Sequence, residues 1–186
     1  MLLLLLCGLG SPSWAAVCSA SAPARRAAVE RVIDGDTLVF RGGQRLRLIG
    51  IDAPEMRQDG RGPEPYAREA RAALVDWSSG RVVGVQYGQS PHDRYGRGLA
   101  HLFLANGDNV QALLLRRGLA TSLFLPPNGE YLDCYAAAEA EARAARRGIW
   151  SQAGFHPIAA KRLGRAARGY RVATGTVTSA RCRRTG

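Results

Sequence analysis

From residue 28 to residue 104 the apolar positions fall largely into short runs in which apolar and polar side chains alternate. Glycine, proline and acidic residues mark the ends of these runs. Val29–Ile33, Thr37–Arg41 and Arg45–Ile51 are predicted strands, and Gly42-Gly43 suits a hairpin turn between the last two. In the third run Arg45, Arg47 and Ile49 alternate with Leu46, Leu48 and Gly50, which places Arg47 away from the apolar face. Asp52-Ala53-Pro54-Glu55 ends that strand, because proline lacks an amide donor and restricts the residue before it. After a Gly/Pro/Arg-rich loop, Met56–Pro65, the period changes. Ala70, Ala73, Leu74 and Trp77 lie on one face of a predicted helix, Tyr66–Trp77. Val82–Tyr87 and Leu99–Leu104 are further strands, with Ser90–Gly98 as the loop between them.

The rest of the domain reads as helical. Val110–Arg117 is a short helix stopped by Gly118. Pro126-Pro127-Asn128-Gly129 is a break, and Glu130–Arg147 is an alanine-rich helix ended by Gly148, with Glu139 and Arg143 at helical i,i+4 spacing. Five strands, one helix after the third and two helices at the end is the order of an α+β chain built on an OB-type five-stranded barrel with three helices. Propensity alone does not separate that barrel from another small α+β fold. The stretch Gly169–Ala180 alternates enough to form one more strand or hairpin, with no obvious partner in the chain.

The N-terminus changes the picture. An apolar run from Leu2 reaches Leu9 and is followed by Ser13-Trp14-Ala15, small residues flanking a cleavage point. Residues 1–16 read as a secretory signal peptide, too short to span a bilayer, although no positive charge precedes the run. A buried N-terminal strand is the other reading. Residues 17–27 are Ala/Ser/Pro/Arg-rich and read as a linker to a domain at 28–151, which leaves 152–186 as a basic extension. Loss of the leader removes Cys7. An exported chain can form a disulfide, but Cys18, Cys134 and Cys182 leave three possible pairs open. Secretion or a periplasmic location is therefore expected, with no membrane span after the leader is removed.

The formal charge of +11 is unevenly spread. Residues 161–186 hold eight of the 26 basic side chains and no acid, so residues 1–160 carry a net charge of only +3. The tail is either an electrostatic handle for polyanions or a solvated surface segment. Length and an apolar content of 46% fit one folded domain with extensions. His92, His101 and His156 fall into no metal-binding pattern, and no Cys/His spacing suits zinc.

Candidate chemistry lies in three short motifs, Asp34-Gly35-Asp36-Thr37, Arg47 to Glu55, and Asp93-Arg94-Tyr95-Gly96-Arg97-Gly98. Asp36 and Asp52 stand at the ends of segments that a hairpin would bring together. With a loop carbonyl and waters, two carboxylates make an oxygen site suited to Ca²⁺, although this is not an EF-hand. Asp34 is a third acid or only the cap of the turn at Gly35. Glu55, brought over the same site by a turn, could orient or deprotonate water. Arg47 and Arg97 offer guanidinium forks to phosphate oxygens and to the charge of a phosphoryl transition state. Metal, base and arginines together match metal-assisted phosphoryl displacement.

Val32 to Thr37, Leu46 to Glu55 and Asp93 to Ala100 resemble, in sequence and order, the staphylococcal nuclease family. Arg116-Arg117-Gly118-Leu119-Ala120 and Gly148-Ile149-Trp150 are similar to its later landmarks. The resemblance covers about residues 28–151. It implies an OB-fold barrel with three helices and Ca²⁺-dependent, sequence-nonspecific hydrolysis of DNA and RNA by water, leaving 3′-phosphate ends. It implies metal binding by Asp36, Asp52 and the backbone carbonyl of Ala53, and catalysis by Arg47, Glu55 and Arg97. Tyr95, with Arg94 beside it, falls near the bound nucleotide, and Asp34 is left a supporting role. The family's nucleotide-contacting tyrosines are absent around Thr121–Asn128. Phe124 could still stack on a base there. Residues 169–177 resemble the opening of a small β extension that follows the nuclease domain in some relatives, which would imply that the sequence ends inside that extension. A monomer with no stable protein partner is expected. The competing expectation is an OB-fold module that binds nucleic acid without cutting it; what speaks against it is the presence of Asp36, Arg47, Asp52, Glu55 and Arg97 together.

Overall fold

A computed structural model describes residues 18–20, 25–56, 62–155, 158–162, 173–176 and 178. The expected signal peptide, Cys182 and most of the basic tail lie outside these residues. Strands β1 (Arg25–Val32), β2 (Thr37–Phe40), β3 (Arg45–Leu48), β5 (Val82–His92) and β6 (Gly98–Phe103) close a barrel in the order β1-β2-β3-β6-β5. All neighbours are antiparallel except β3 and β6, which run parallel with Leu46 opposite Gly98 and Leu48 opposite Ala100. Helices α1 (Ala67–Ser78), α2 (Val110–Arg116) and α3 (Leu132–Ala144) complete the expected OB-type α+β fold. Leu38, Leu46, Leu48, Val83, Val85 and Leu102 form the core of the barrel. Ala70, Ala73 and Leu74 of α1 and Leu114 and Leu115 of α2 pack into the same core. No helix among the described residues is long and apolar enough to cross a membrane.

Several boundaries differ from the sequence reading, each for a tertiary reason. β1 starts at Arg25, within the stretch expected to be a linker, because Arg25–Ala28 pair with Val82–Val85 of β5. Polar side chains on that segment disguise a strand whose backbone is paired. β5 runs on to His92, and the expected loop shrinks to a tight turn that rejoins β6 at Gly98. The third predicted strand is divided. β3 stops at Leu48, Gly50 takes φ +83°, and Ile51–Asp52 forms a short β4 that leaves the barrel to pair with β7 (Thr121–Ser122). Glycine is required at position 50 twice over. The left-handed φ disfavours a side chain, and a Cβ there would collide with the Tyr135 ring. α3 is shorter at both ends than Glu130–Arg147, since Tyr131 is its N-cap residue and Arg146 turns the chain with φ 50°.

Two further pairings lie outside the barrel. Cys18 and Cys134 form a disulfide with a Cα–Cα distance of 5.6 Å, joining the segment before β1 to α3. In the C-terminal extension Ala173–Thr174 (β9) pairs in parallel with Ile158–Ala159 (β8), a partner the sequence reading did not find.

Candidate active site

The turn before β2 sets the first acid. Asp34 Oδ1 accepts a hydrogen bond from the Asp36 amide at 3.1 Å, so Asp34 shapes the turn, the role its spacing favours. A Cβ at Gly35 would lie 2.7 Å from the Cβ atoms of both Ala53 and Ala70, so only glycine lets the turn seat against the Asp52–Pro54 segment and α1. Asp36 then points inward, 5% exposed. Its Oδ2 accepts from the Ala53 amide at 2.9 Å and its Oδ1 from the Thr37 hydroxyl at 3.1 Å.

Arg47 leaves the outer face of β3, as the alternation predicts, and bridges the two acids. Its Nη1 lies 2.5 Å from Asp36 Oδ2 and its Nη2 2.9 Å from Asp52 Oδ1. The break at Gly50 makes this possible by turning Asp52 back over the start of β2. The Asp52 side chain is 48% exposed, so one acid is buried and the other opens to solvent. Burial pushes the Asp36 carboxyl up to about 7, against the opposing pull of Arg47, and the negative Asp34 adds to the rise.

Glu55 follows at the mouth of the next loop. The Glu55 carbonyl accepts from the Glu64 amide at 3.0 Å, and the Glu55 amide donates to Glu64 Oε2 at 2.9 Å. This pair closes the base of the loop. The Glu55 carboxyl is raised above its ordinary value, first by desolvation and then by Asp34, with Asp52 and Glu64 also raising it and Arg47 opposing. Glu55 therefore lies in the same electrostatic field as Asp34, Asp52 and Arg47.

Arg97 comes from the β5–β6 turn. Asp93 Oδ1 accepts from the amides of Tyr95 and Arg97, both at 2.9 Å, and Asp93 Oδ2 takes the Arg97 Nε at 2.7 Å. The same carboxylate thus folds the turn and aims the guanidinium. Arg47 and Arg97 line one cleft of about 260 Å³, with Leu99, Leu123 and Leu125 as its apolar wall. Arg94 and Tyr95 stand at the turn's tip. Tyr95 is 69% exposed, and Arg94 lies over its ring at 4.8 Å.

Phe124 is not in that cleft. Neighbours along an extended segment face opposite ways, so Leu123 and Leu125 meet the arginines while Phe124 turns toward Gly129, Tyr131 and Tyr135. Three supporting residues escaped the sequence reading. Asp93 lies within a recognised motif, and its i,i+4 spacing to Arg97 was the available signal. Asn128 exchanges hydrogen bonds with the Ser90 backbone at 2.8 and 3.0 Å and holds the 123–128 segment against β5. Glu139 accepts from the Ser122 amide at 2.6 Å and from its hydroxyl, tying β7, and through it β4, to α3. Its i,i+4 partner Arg143 is 2.8 Å away, as the helix spacing predicts.

Among the described residues no three His, Cys, Asp or Glu side chains gather as a metal-holding group. The donors present are two carboxylates, Asp36 and Asp52, beside the Ala53 backbone. They fit a hard cation in kind, because all are oxygen donors and a bound cation would offset the burial that opposes ionisation of Asp36.

Residues 45–152 match the family described as staphylococcal nuclease homologue. That span contains Arg47, Asp52, Glu55 and Arg97, whereas Asp36 precedes it. A thermonuclease of Staphylococcus intermedius is 37% identical over 128 residues, which is 67% of this chain and 75% of that protein. A thermonuclease of Staphylococcus hyicus is 35% identical over 126 residues, 66% of this chain and 74% of that one. Endonuclease YncB of Bacillus subtilis is 30% identical over 132 residues, 68% of this chain and 62% of that one. The fold, the ordered motifs and these similarities agree, and the chain belongs to the staphylococcal nuclease family.

Proposed function

We propose that this protein is an exported, Ca²⁺-dependent endonuclease that hydrolyses phosphodiester bonds of DNA and RNA without sequence preference and leaves 3′-phosphate ends. The observation that carries the reading is the Arg47 bridge between Asp36 and Asp52, with Glu55 in the same field and Arg97 lining the same cleft. When bound between Asp36, Asp52 and the Ala53 carbonyl, a divalent cation would supply charge stabilisation to a phosphoryl oxygen. The chain's own residues do the rest. Arg47, already forked toward two oxygens, exchanges carboxylate contacts for phosphate contacts. Arg97, braced through Nε by Asp93, offers its Nη edge to the same phosphate. Glu55, whose raised carboxyl moves toward working pH, accepts a proton from the attacking water. Calcium is preferred for its all-oxygen, geometrically tolerant coordination. Export is supported by the apolar leader and by the Cys18–Cys134 disulfide, a bond that persists in oxidising compartments.

Digestion of single-stranded DNA, duplex DNA and RNA with Ca²⁺ or with EGTA, followed by analysis of the product ends, tests the reading. Cleavage that needs Ca²⁺ and leaves 3′-phosphates is expected. Full activity in EGTA overturns the calcium assignment. Tight binding with no cleavage under any divalent ion favours a binding module instead.

A further inference from the structure

β4 separates two clefts. Ile51 and Asp52 are successive strand residues and so face opposite sides. Ile51 lines the cleft that holds Arg47 and Arg97, whereas Asp52 lines a second cleft of about 380 Å³. The second cleft is walled by the Asp52–Pro54 segment and Pro65 on one side and by Ile149, Gln152 and Phe155 on the other. Its size is that of a small-molecule site. It runs directly on from Asp52, yet among the described residues no arginine or lysine lines it. The two clefts thus divide the chemistry. One holds cationic forks for phosphate, and the other is mainly apolar, with an aromatic ring and an amide, and is edged by the Asp52 and Glu64 carboxylates.

We propose that the Phe155 cleft is a second nucleoside subsite, which takes the nucleoside on the opposite side of the scissile phosphate from the one in the Arg47–Arg97 cleft. This rests on the nuclease reading above. An enzyme that cuts inside a strand must seat a nucleoside on each side of the reacting phosphate, and the phosphate sits at the ridge that Asp52 occupies. Among the described residues the charged groups lining the cleft are the Asp52 and Glu64 carboxylates, which suit a neutral base and sugar better than a further phosphate. Phe155 supplies the aromatic surface for stacking, which tolerates any base and so agrees with cleavage without sequence preference. Trp150 holds the Phe155 ring in place, edge to face at 5.5 Å. Gln152 lies where its amide can meet a base edge or a sugar hydroxyl.

The test compares the dinucleotide TpT with two truncated diesters, each carrying a methyl group in place of one nucleoside. Phe155→Ala removes the stacking ring. Gly154→Leu puts a bulky side chain on the lining of the cleft, at a position where a Cβ would meet no heavy atom within 4 Å. Both variants are expected to raise KM for TpT by about tenfold, the scale of one stacking contact, with kcat unchanged. KM for the diester whose methyl replaces the nucleoside in this cleft should not move. Equal KM changes on all three substrates, or no change on TpT, overturn the subsite. If the wild-type protein cleaves nothing, the nuclease reading falls, and calorimetric binding of TpT in EGTA still decides the cleft. Weaker binding by both variants supports it, and unchanged binding overturns it.

Discussion

This barrel buries two polar clusters, and they are built to opposite ends. The first is Asp36, Arg47 and Asp52. It carries formal charges, opens to solvent through Asp52, and retains more negative charge than Arg47 cancels. The second joins His101, Tyr135, Asn109 and Gln111, all within 3% exposure. His101 Nδ1 and the Asn109 amide both meet the Tyr135 hydroxyl, at 2.7 and 3.2 Å. Gln111 spends its amide on backbone, accepting from Leu102 N at 3.1 Å and donating to the carbonyls of Ile49 and Ala100. Burial drives His101 down to about 4 despite the nearby Glu130, so the ring is neutral at pH 7. Buried polar residues alone therefore do not mark a site. A closed set bonded mostly within itself and to backbone, with the Glu130 carboxylate 3.5 Å from His101 Nε2 at its rim, welds helices to the barrel, whereas a set that opens to solvent leaves its charged groups within reach of a ligand.

The largest expected effect breaks the first cluster. Arg47→Ala should cut kcat on the order of 10²–10³-fold while circular dichroism stays native, because it removes a contact to the transition state. Near-normal turnover would make this cluster structural like the second. The next effect falls on the frame behind the second cluster. Cys134→Ser opens a crosslink spanning 116 residues beside Tyr135 and should cost about 2–4 kcal/mol in denaturant unfolding, with kcat of the folded fraction preserved. A stability unchanged by the substitution or by a reductant would show that the disulfide does no such work. Gly50→Ala touches both clusters, since Gly50 lies between Arg47 and Asp52 in sequence and against Tyr135 in space. A loss of roughly 2 kcal/mol is expected from overpacking and left-handed strain, accompanied by lower kcat as Asp52 shifts. Loss of stability with intact kcat would uncouple the two clusters.

The smallest effect separates them by pH. The folded pKa of His101 is depressed below the unfolded value of 6.5, so its contribution to stability is complete above pH 6.5 and is lost as pH falls toward 4. The raised Asp36 carboxyl acts in the opposite sense and gains stability as pH falls below 7, so the His101 contribution is read as wild type minus His101→Gln. From pH 7 to pH 6 that difference should fall by less than about 1 kcal/mol and steepen beyond, as read from denaturant midpoints. The His101→Gln variant should keep the Asp36 dependence and lose only the histidine's part of the slope. An unchanged slope would mean that His101 is not the titrating group.

Legibility in the sequence follows the range of each interaction. Arg97 was readable because its motif, Asp93 to Gly98, is one short local turn, although the brace that Asp93 supplies within it was not read. The orientation of Arg47 was readable from the alternation of Arg45 to Leu48, but its partners were not. Asp36 and Asp52 reach it only because the chain breaks at Gly50, within a run whose apolar pattern continues through Ile49 and Ile51. Phe124 is the aromatic of its segment, and only the pairing of that segment with β4 and β5 turned Leu123 and Leu125 into the cleft instead. The start of β1 was hidden for a related reason: backbone pairing with β5 does not need apolar side chains at Arg25 and Arg26.

The chain's own order of residues determined the strand and helix order, the turns at Asp34-Gly35 and Asp93–Gly98, and the set of acids and arginines available for phosphate chemistry. These are local properties, set by dihedral preference, side-chain period and hydrogen bonds between near neighbours. The tertiary structure decided which cysteines pair, where the third strand leaves the barrel, which acid is buried, and that Asp52 stands on a ridge between two clefts. Those outcomes depend on contacts between residues distant in sequence, and such contacts are settled by the packing of the whole core.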